Sequence, residues 1–189
     1  MARLGFLFFT ALALAFGWYH MEVAYLLDVW GVSGKAPVIA EDQFKPIDRS
    51  AWQLHDVSSF EEWNKEGLPE NAWDGNPETF WHSAWKTEKP KHPHHLAIDM
   101  GRSVMVYGVS YLPRQNGPNG RVKGYRISLS EDGESWEEVA AGDFPPAMEK
   151  QLVRLNRPAT GRFLRFDCLS ESNDGIWAAI AELDALTLE

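Results

Sequence analysis

The chain holds one cysteine, Cys168, in 189 residues. That excludes an internal disulfide and any zinc site built on several thiolates. Positive charge is also scarce: 18 Lys and Arg stand against 27 Asp and Glu, for a formal net charge of -9. A nucleic-acid binder needs a cationic face to displace counterions, and docking on anionic lipid needs the same sign, so neither class fits. The sequence shows no long helical periodicity, internal repeat or low-complexity tract. It also lacks a P-loop, a GxGxxG turn, an HExxH helix and a GxSxG elbow. What it has in plenty is apolar and aromatic surface: 44% hydrophobic residues and nine tryptophans, enough for a sizeable core.

The first thirty residues differ from the rest. A short basic start, Met1-Ala2-Arg3, precedes an apolar run from Leu4 to Gly17 broken only by Thr10. The run is shorter than the roughly 20 residues a spanning helix needs and suits a secretory leader, with Ala13 and Ala15 offering a cleavage pattern. Apolar character resumes from Val23 to Leu27, so an uncleaved anchor competes with a cleaved leader. Both predict export, to a periplasmic, secreted or surface-anchored location, and any membrane contact would run through this segment alone. A single cysteine is compatible with that route. Residues 1–30 are thus expected to be leader or anchor. Residues 31–50, with Pro37 and Pro46, are expected to be linker, and residues 51–189 the folded domain.

Beyond Trp52 the pattern is one of short alternating runs: HLAIDM, VMVYGVSYL, VKGYRISLS, QLVRL, RFLRFDCL and a closing run from Ala179 to Leu188. Strands of five to nine residues punctuated by Gly, Pro, Asn and Asp predict an all-β antiparallel sandwich or barrel. Cys168 reads as a small buried hydrophobe. Glu61-Glu62 and Glu137-Glu138 read as solvated faces. His92-Pro93-His94-His95, with Asp99 following, is the most enzyme-like cluster, and three imidazoles can hold a transition metal if the loop folds back. The simpler reading is a proline-turned entry into a strand with its histidines at the sheet edge. Nothing pairs a nucleophile with a base, so the chain is not expected to be an enzyme.

The most informative stretch is NAWDGNPETFWHS, Asn71 to Ser83. Asp74-Gly75-Asn76-Pro77 turns the chain tightly and gathers backbone and side-chain oxygens. Calcium takes about six to eight oxygen ligands, more than this loop supplies, so a distant acid would have to complete the shell. On these residues alone, an ion-free Asx-turn is an equal reading.

Taken together, NAWDGNPETFWHSAW, HPHHLAIDMG, YLPRQNGPNGRVKGYRISLSEDGESW, GRFLRF and AAIAEL resemble the F5/8 type C (discoidin) family. Within it they resemble the carbohydrate-binding branch, carbohydrate-binding module family 32. The resemblance runs in the family's order from about Trp52 to Leu186. It implies an eight-stranded antiparallel jelly-roll β-sandwich, galactose-binding-domain-like. It implies a structural Ca2+ held by carbonyls of Asn71, Asn76 and Ala181, by the carboxylates of Asp74 and Glu182, and by carbonyl and hydroxyl of Thr79. It also implies a sugar site. Arg114 and Asn119 would grip the axial O4 of a galactose-configured sugar, His82 a neighbouring hydroxyl, and Trp85 or Trp177 the ring face. Arg121 and Asn116 match a fucose-binding pattern less well, since Asn stands where an Asp is required. Trp73 and Trp81 are expected in the core. The function so implied is non-catalytic binding of Gal- or GalNAc-type glycans, either as a stand-alone lectin or as the partner of a separately encoded glycoside hydrolase. The alternative is an adhesion or protein-interaction discoidin domain that binds no sugar.

Overall fold

Alternation in HLAIDM does not stop at Gly101. It continues into VMVYGVSYL, and the two runs form one strand of 19 residues. Gly101 lets this happen: its φ of +79° suits glycine, and a Cβ there would lie 2.8 Å from that of Ala51. QLVRL and RFLRFDCL likewise merge into one 18-residue strand. The computed structural model describes residues 39–86 and 88–188, so the expected leader or anchor lies outside the described residues. Within them run β1 (Phe44–Pro46), β2 (Gln53–Val57), β3 (Trp81–His82), β4 (His94–Leu112), β5 (Gly124–Ser130), β6 (Glu137–Asp143), β7 (Gln151–Cys168), β8 (Ala179–Ile180) and β9 (Glu182–Leu188). Helical structure among the described residues is confined to three short 3-10 turns, so the all-β expectation holds. None of these is long and apolar enough to cross a membrane.

Every strand pairing is antiparallel. β4 and β7 pair along almost their whole length, from His94↔Cys168 to Tyr111↔Gln151, with breaks in register after Asp99 and Val106. Those breaks bend both strands, because a bulge increases local twist. The first half of β4 takes β2 as its other neighbour and the second half takes β9. One hydrogen-bonded sheet therefore supplies both layers of a jelly-roll sandwich. Tyr111, in the second half of β4, packs 5.7 Å from Phe166, in the second half of β7, and stacks 5.0 Å from Phe144. Ile98, Leu164, Ile127 and Leu183 fill the space between, all fully buried. Trp81 and Trp73 belong to this core, as does Cys168.

The amino-terminal boundary differs from expectation. Phe44–Pro46, inside the stretch read as linker, pairs with β9 through Phe44↔Leu188 to Pro46↔Leu186. Ile47 follows into the core, and its N–H reaches the Ala185 carbonyl at 2.9 Å. Three residues with a proline carry too little periodicity to read as a strand, yet an edge position tolerates Pro46. The closing run also splits. β8 joins β3 in a separate two-stranded sheet, while β9 enters the main one. That switch at Ala181 places the β3–β8 pair at one end of the sandwich, beside the loops that carry the functional candidates.

Candidate functional site

Two buried glutamates organise this end. Glu61 is only 7% exposed and accepts three backbone N–H groups: Trp63 at 3.2 Å on one oxygen, Trp85 at 3.0 Å and Lys86 at 2.9 Å on the other. Burial alone would raise its pKa. The amides of Trp85, Lys86 and Trp63, with the Lys86 charge, outweigh burial and hold the carboxyl below its usual range. Glu61 is thus not the solvated residue its sequence suggests, whereas Glu62 and the Glu137–Glu138 pair are exposed as expected. Glu171, 1% exposed, accepts Gly120 N–H at 2.7 Å on one oxygen and Trp177 N–H at 3.0 Å on the other. Gly120 has φ +85°, and a Cβ on it would sit 2.7 Å from that of Ala179. Neither glutamate has a motif, so in sequence Glu61 looks like a solvated acid and Glu171 carries no signal.

The five sugar-site candidates gather around these supports. His82, on β3, is 3% exposed, and its Nδ1 donates to the Ser83 carbonyl at 2.7 Å. A carbonyl can only accept, so Nδ1 carries the proton and Nε2 is left with a free lone pair. Burial drives the His82 pKa down to about 4, with the Ser83 bond opposing and the Arg114 charge adding. The half-buried Trp85 packs edge-on to His82 at 4.5 Å. The Arg114 guanidinium lies 4.3 Å from the centre of the Phe80 ring, and its Nε donates to Asn116 Oδ1 at 2.6 Å. Asn119 is exposed, one residue before the anchored Gly120. Trp177 is half-buried and adjoins Ala178, whose backbone exchanges hydrogen bonds with Ser83. Its indole N–H is buried and, among the described residues, has no acceptor. A depression of about 480 Å³ is lined by Val57, Phe60, Glu61, Glu62, Ala84 and Glu88, and none of the five sugar-site candidates lines it.

Of the histidine cluster, His92 and His94 meet edge-on with ring centres 4.8 Å apart, while His95 stands apart. His94 is fully buried and donates from Nε2 to the Ile176 carbonyl at 2.7 Å, tying down the loop before Trp177. His95 points to the other side of β4 and meets Asp56 at 2.8 Å. His92 bonds the Cys168 carbonyl through Nδ1 at 3.1 Å. Alternation along the strand separates His94 from His95, and His94 lies buried inside the sheet rather than at its edge, because β4 is flanked by β2 and β7.

The cation-loop candidates adopt the tight turn expected of them. Asp74 accepts Asn76 N–H at 2.8 Å and the Thr79 hydroxyl at 2.7 Å, and the Asn76 carbonyl accepts the same hydroxyl at 2.8 Å. Asn71 uses its side-chain amide to hold the Phe80 carbonyl at 3.2 Å. Ala181 is buried, its N–H bonded to Leu112 O at 3.0 Å. Glu182 gives one oxygen to Arg49 at 2.5 Å, while the other is buried without a partner among the described residues. Burial raises its pKa, Arg49 opposing and the charges of Asp184 and Asp74 adding. No group of three or more His, Cys, Asp or Glu side chains among the described residues could hold a metal. A cation here would rest on two carboxylates and several neutral oxygens, and the orphaned Glu182 oxygen is the feature that fits one.

Comparisons with known proteins agree with this architecture. Residues 55–183 match the F5/8 type C domain family. A sialidase of Micromonospora viridifaciens is 36% identical over 141 residues, 73% of this chain and 22% of the sialidase. The chain spans about a fifth of the length of the curated relatives it matches. Among solved structures, a family 32 carbohydrate-binding module from a family 31 glycoside hydrolase of Clostridium perfringens superposes with TM-score 0.68 at 28% identity, covering 76% of this chain and 95% of that one. The family 32 module of C. perfringens NanJ, solved with galactose, superposes with TM-score 0.67 at 23% identity, covering 76% and 99%.

Proposed function

The chain belongs to the F5/8 type C domain family, and on that premise we propose that it binds glycans ending in a galactose-configured sugar. The observation that carries the reading is that one acceptor, one cation and two half-buried indoles stand at the same end of the sandwich. Those groups are His82 Nε2, Arg114, Trp85 and Trp177. An axial O4 would accept from Arg114, with the exposed Asn119 beside it, and a neighbouring hydroxyl would donate to His82. An equatorial O4 leaves the Arg114 donors without their partner, which supplies the selectivity. The galactose in the NanJ module supports the sugar class. Galactose has about a dozen non-hydrogen atoms, and at roughly 0.3–0.4 kcal/mol each a single site binds on the order of millimolar. Useful retention on a glycan surface then needs several copies or a tether, consistent with export and with a glycoside hydrolase partner. Titrating the chain with galactose and glucose by calorimetry tests the reading. Saturable heat for galactose alone is expected, and equal or absent binding of both by the folded chain would defeat it.

The His82 acceptor gives a pH signature. The folded-state pKa lies below the ordinary 6.5, so the neutral, accepting form prevails at every pH above about 4. Galactoside affinity is expected to be flat between about pH 8 and about pH 5 and to fall as pH drops through about 4. Affinity that stays flat through about pH 4 in the folded chain would mean that His82 does not accept from the sugar.

The same reading includes a structural calcium ion bridging the Asp74 loop to Glu182. When bound, it supplies the positive charge that the two carboxylates and the loop carbonyls share. Calcium at a hundredfold excess over its dissociation constant stabilises the fold by about 2.7 kcal/mol, or roughly 5–10 °C in melting temperature. Glu182→Gln is expected to lose that gain, because the oxygen left unpaired beside Arg49 no longer belongs to a carboxylate. Scanning calorimetry in calcium and in chelator checks both chains.

A further inference from the structure

We propose that Trp63 forms a second sugar subsite beside the galactose site, so that the preferred ligand is an oligosaccharide of at least two units. This rests on the reading above. Trp63 is 47% exposed and is the one aromatic among the exposed large hydrophobics of the described residues. Its loop is not a loose excursion. Glu61 and Gly67 close the loop as a bridge, and both are stitched to His82, with Glu61 N–H on the His82 carbonyl at 3.0 Å and His82 N–H on the Gly67 carbonyl at 3.3 Å. A Cβ on Gly67 would come within 2.9 Å of Glu61, so only glycine permits the closure.

The Glu61 carboxylate then ties Trp63 to the sugar site. Because its two oxygens accept from Trp63 N–H and Trp85 N–H, those backbone nitrogens lie within roughly 9 Å of each other. Two Trp-bearing loops are thereby anchored to one buried carboxylate. The Lys86 ammonium stands over one face of the Trp63 ring, 4.1 Å from its centre, and brings hydrogen-bond donors beside it. At the far end of the same loop the Glu66 charge acts on Arg114. An indole flanked by an ammonium has the composition of a platform for a second, hydroxyl-rich pyranose: an apolar face for its C–H groups and donors for its rim. At 47% exposed, the ring is not part of the core.

The test is calorimetric titration of the chain and its Trp63→Ala variant with methyl β-galactoside and with three galactose-terminated disaccharides of different linkage. The wild-type chain is expected to bind at least one disaccharide about five- to tenfold more tightly than the monosaccharide. Trp63→Ala should bind the monosaccharide unchanged, melt at the wild-type temperature and lose the disaccharide gain. Trp63→Phe should recover part of it. Equal wild-type affinities for all four sugars, or an equal loss for mono- and disaccharide in the variant, overturns the second subsite while leaving the galactose site standing. No binding of any galactoside by the folded chain overturns the parent reading and this one together.

Discussion

Replacing Arg114 with alanine is expected to remove measurable galactoside binding while leaving the domain folded. Hydrogen bonds from a charged donor are worth about 1.5–3 kcal/mol each, and a guanidinium can give two to one sugar hydroxyl region. Their loss is comparable to the whole of roughly 4 kcal/mol that a shallow monosaccharide site provides. The affinity should therefore fall by at least about a hundredfold. Stability should change little, because Arg114 is only half-buried and its main packing contact is the face of Phe80 at 4.3 Å. That contact is worth at most about 1 kcal/mol at such a site. Arg114→Lys should recover only part of the binding, since a point charge does not reproduce the planar fork. Calorimetric titration beside a thermal melt separates the two effects, and undiminished binding by Arg114→Ala would remove Arg114 from the site.

Glu171→Ala is expected to cost the domain about 3–5 kcal/mol, seen as a drop of about 10 °C or more in melting temperature. The side chain is almost wholly buried, and both oxygens are taken by backbone amides, Gly120 at 2.7 Å and Trp177 at 3.0 Å. Alanine leaves two buried donors without an acceptor and a polar cavity between two loops. Glu171→Gln keeps the volume but has one acceptor oxygen and a donating amide, so it should show roughly half the loss. Amide hydrogen exchange at Gly120 and Trp177 should speed up in both variants, with the main sheet protected. Melting of Glu171→Gln at the wild-type temperature would show that the carboxylate does not hold the loops. Because Asn119 and Trp177 hang on this group, sugar affinity should weaken along with stability.

What the sequence revealed depended on whether a residue's role is local. Alternation exposed the strands of the sandwich, and turn residues marked loops such as Asp74–Pro77. It did not show that runs on either side of Gly101 form one strand, because a bend without a turn looks like a boundary. β1 went unread for the opposite reason: three edge residues containing Pro46 have too few positions for any period to appear. The candidate sugar-site residues came from their spacing within a known pattern, and the fold brings His82, Trp85, Arg114, Asn119 and Trp177 to the same end. Glu61 and Glu171 were missed because a carboxylate bonded to distant amides looks, in sequence, like any solvated acid. Each pairs with partners at separations of up to 25 and 51 residues, respectively, which only the fold reveals.

The pairing of Phe44 with Leu188 fixes which way the domain faces. β9 begins at Glu182, opposite Leu112, where the chain leaves β4 toward Arg114. It ends at Leu188, six residues and roughly 20 Å further along. The polypeptide therefore enters the sandwich at the pole remote from His82 and Arg114. Changes made at the Phe44–Leu188 edge of the sandwich therefore fall at the end away from the candidate sugar-binding residues, and a label there reports on folding without standing in the way of a ligand at the other end.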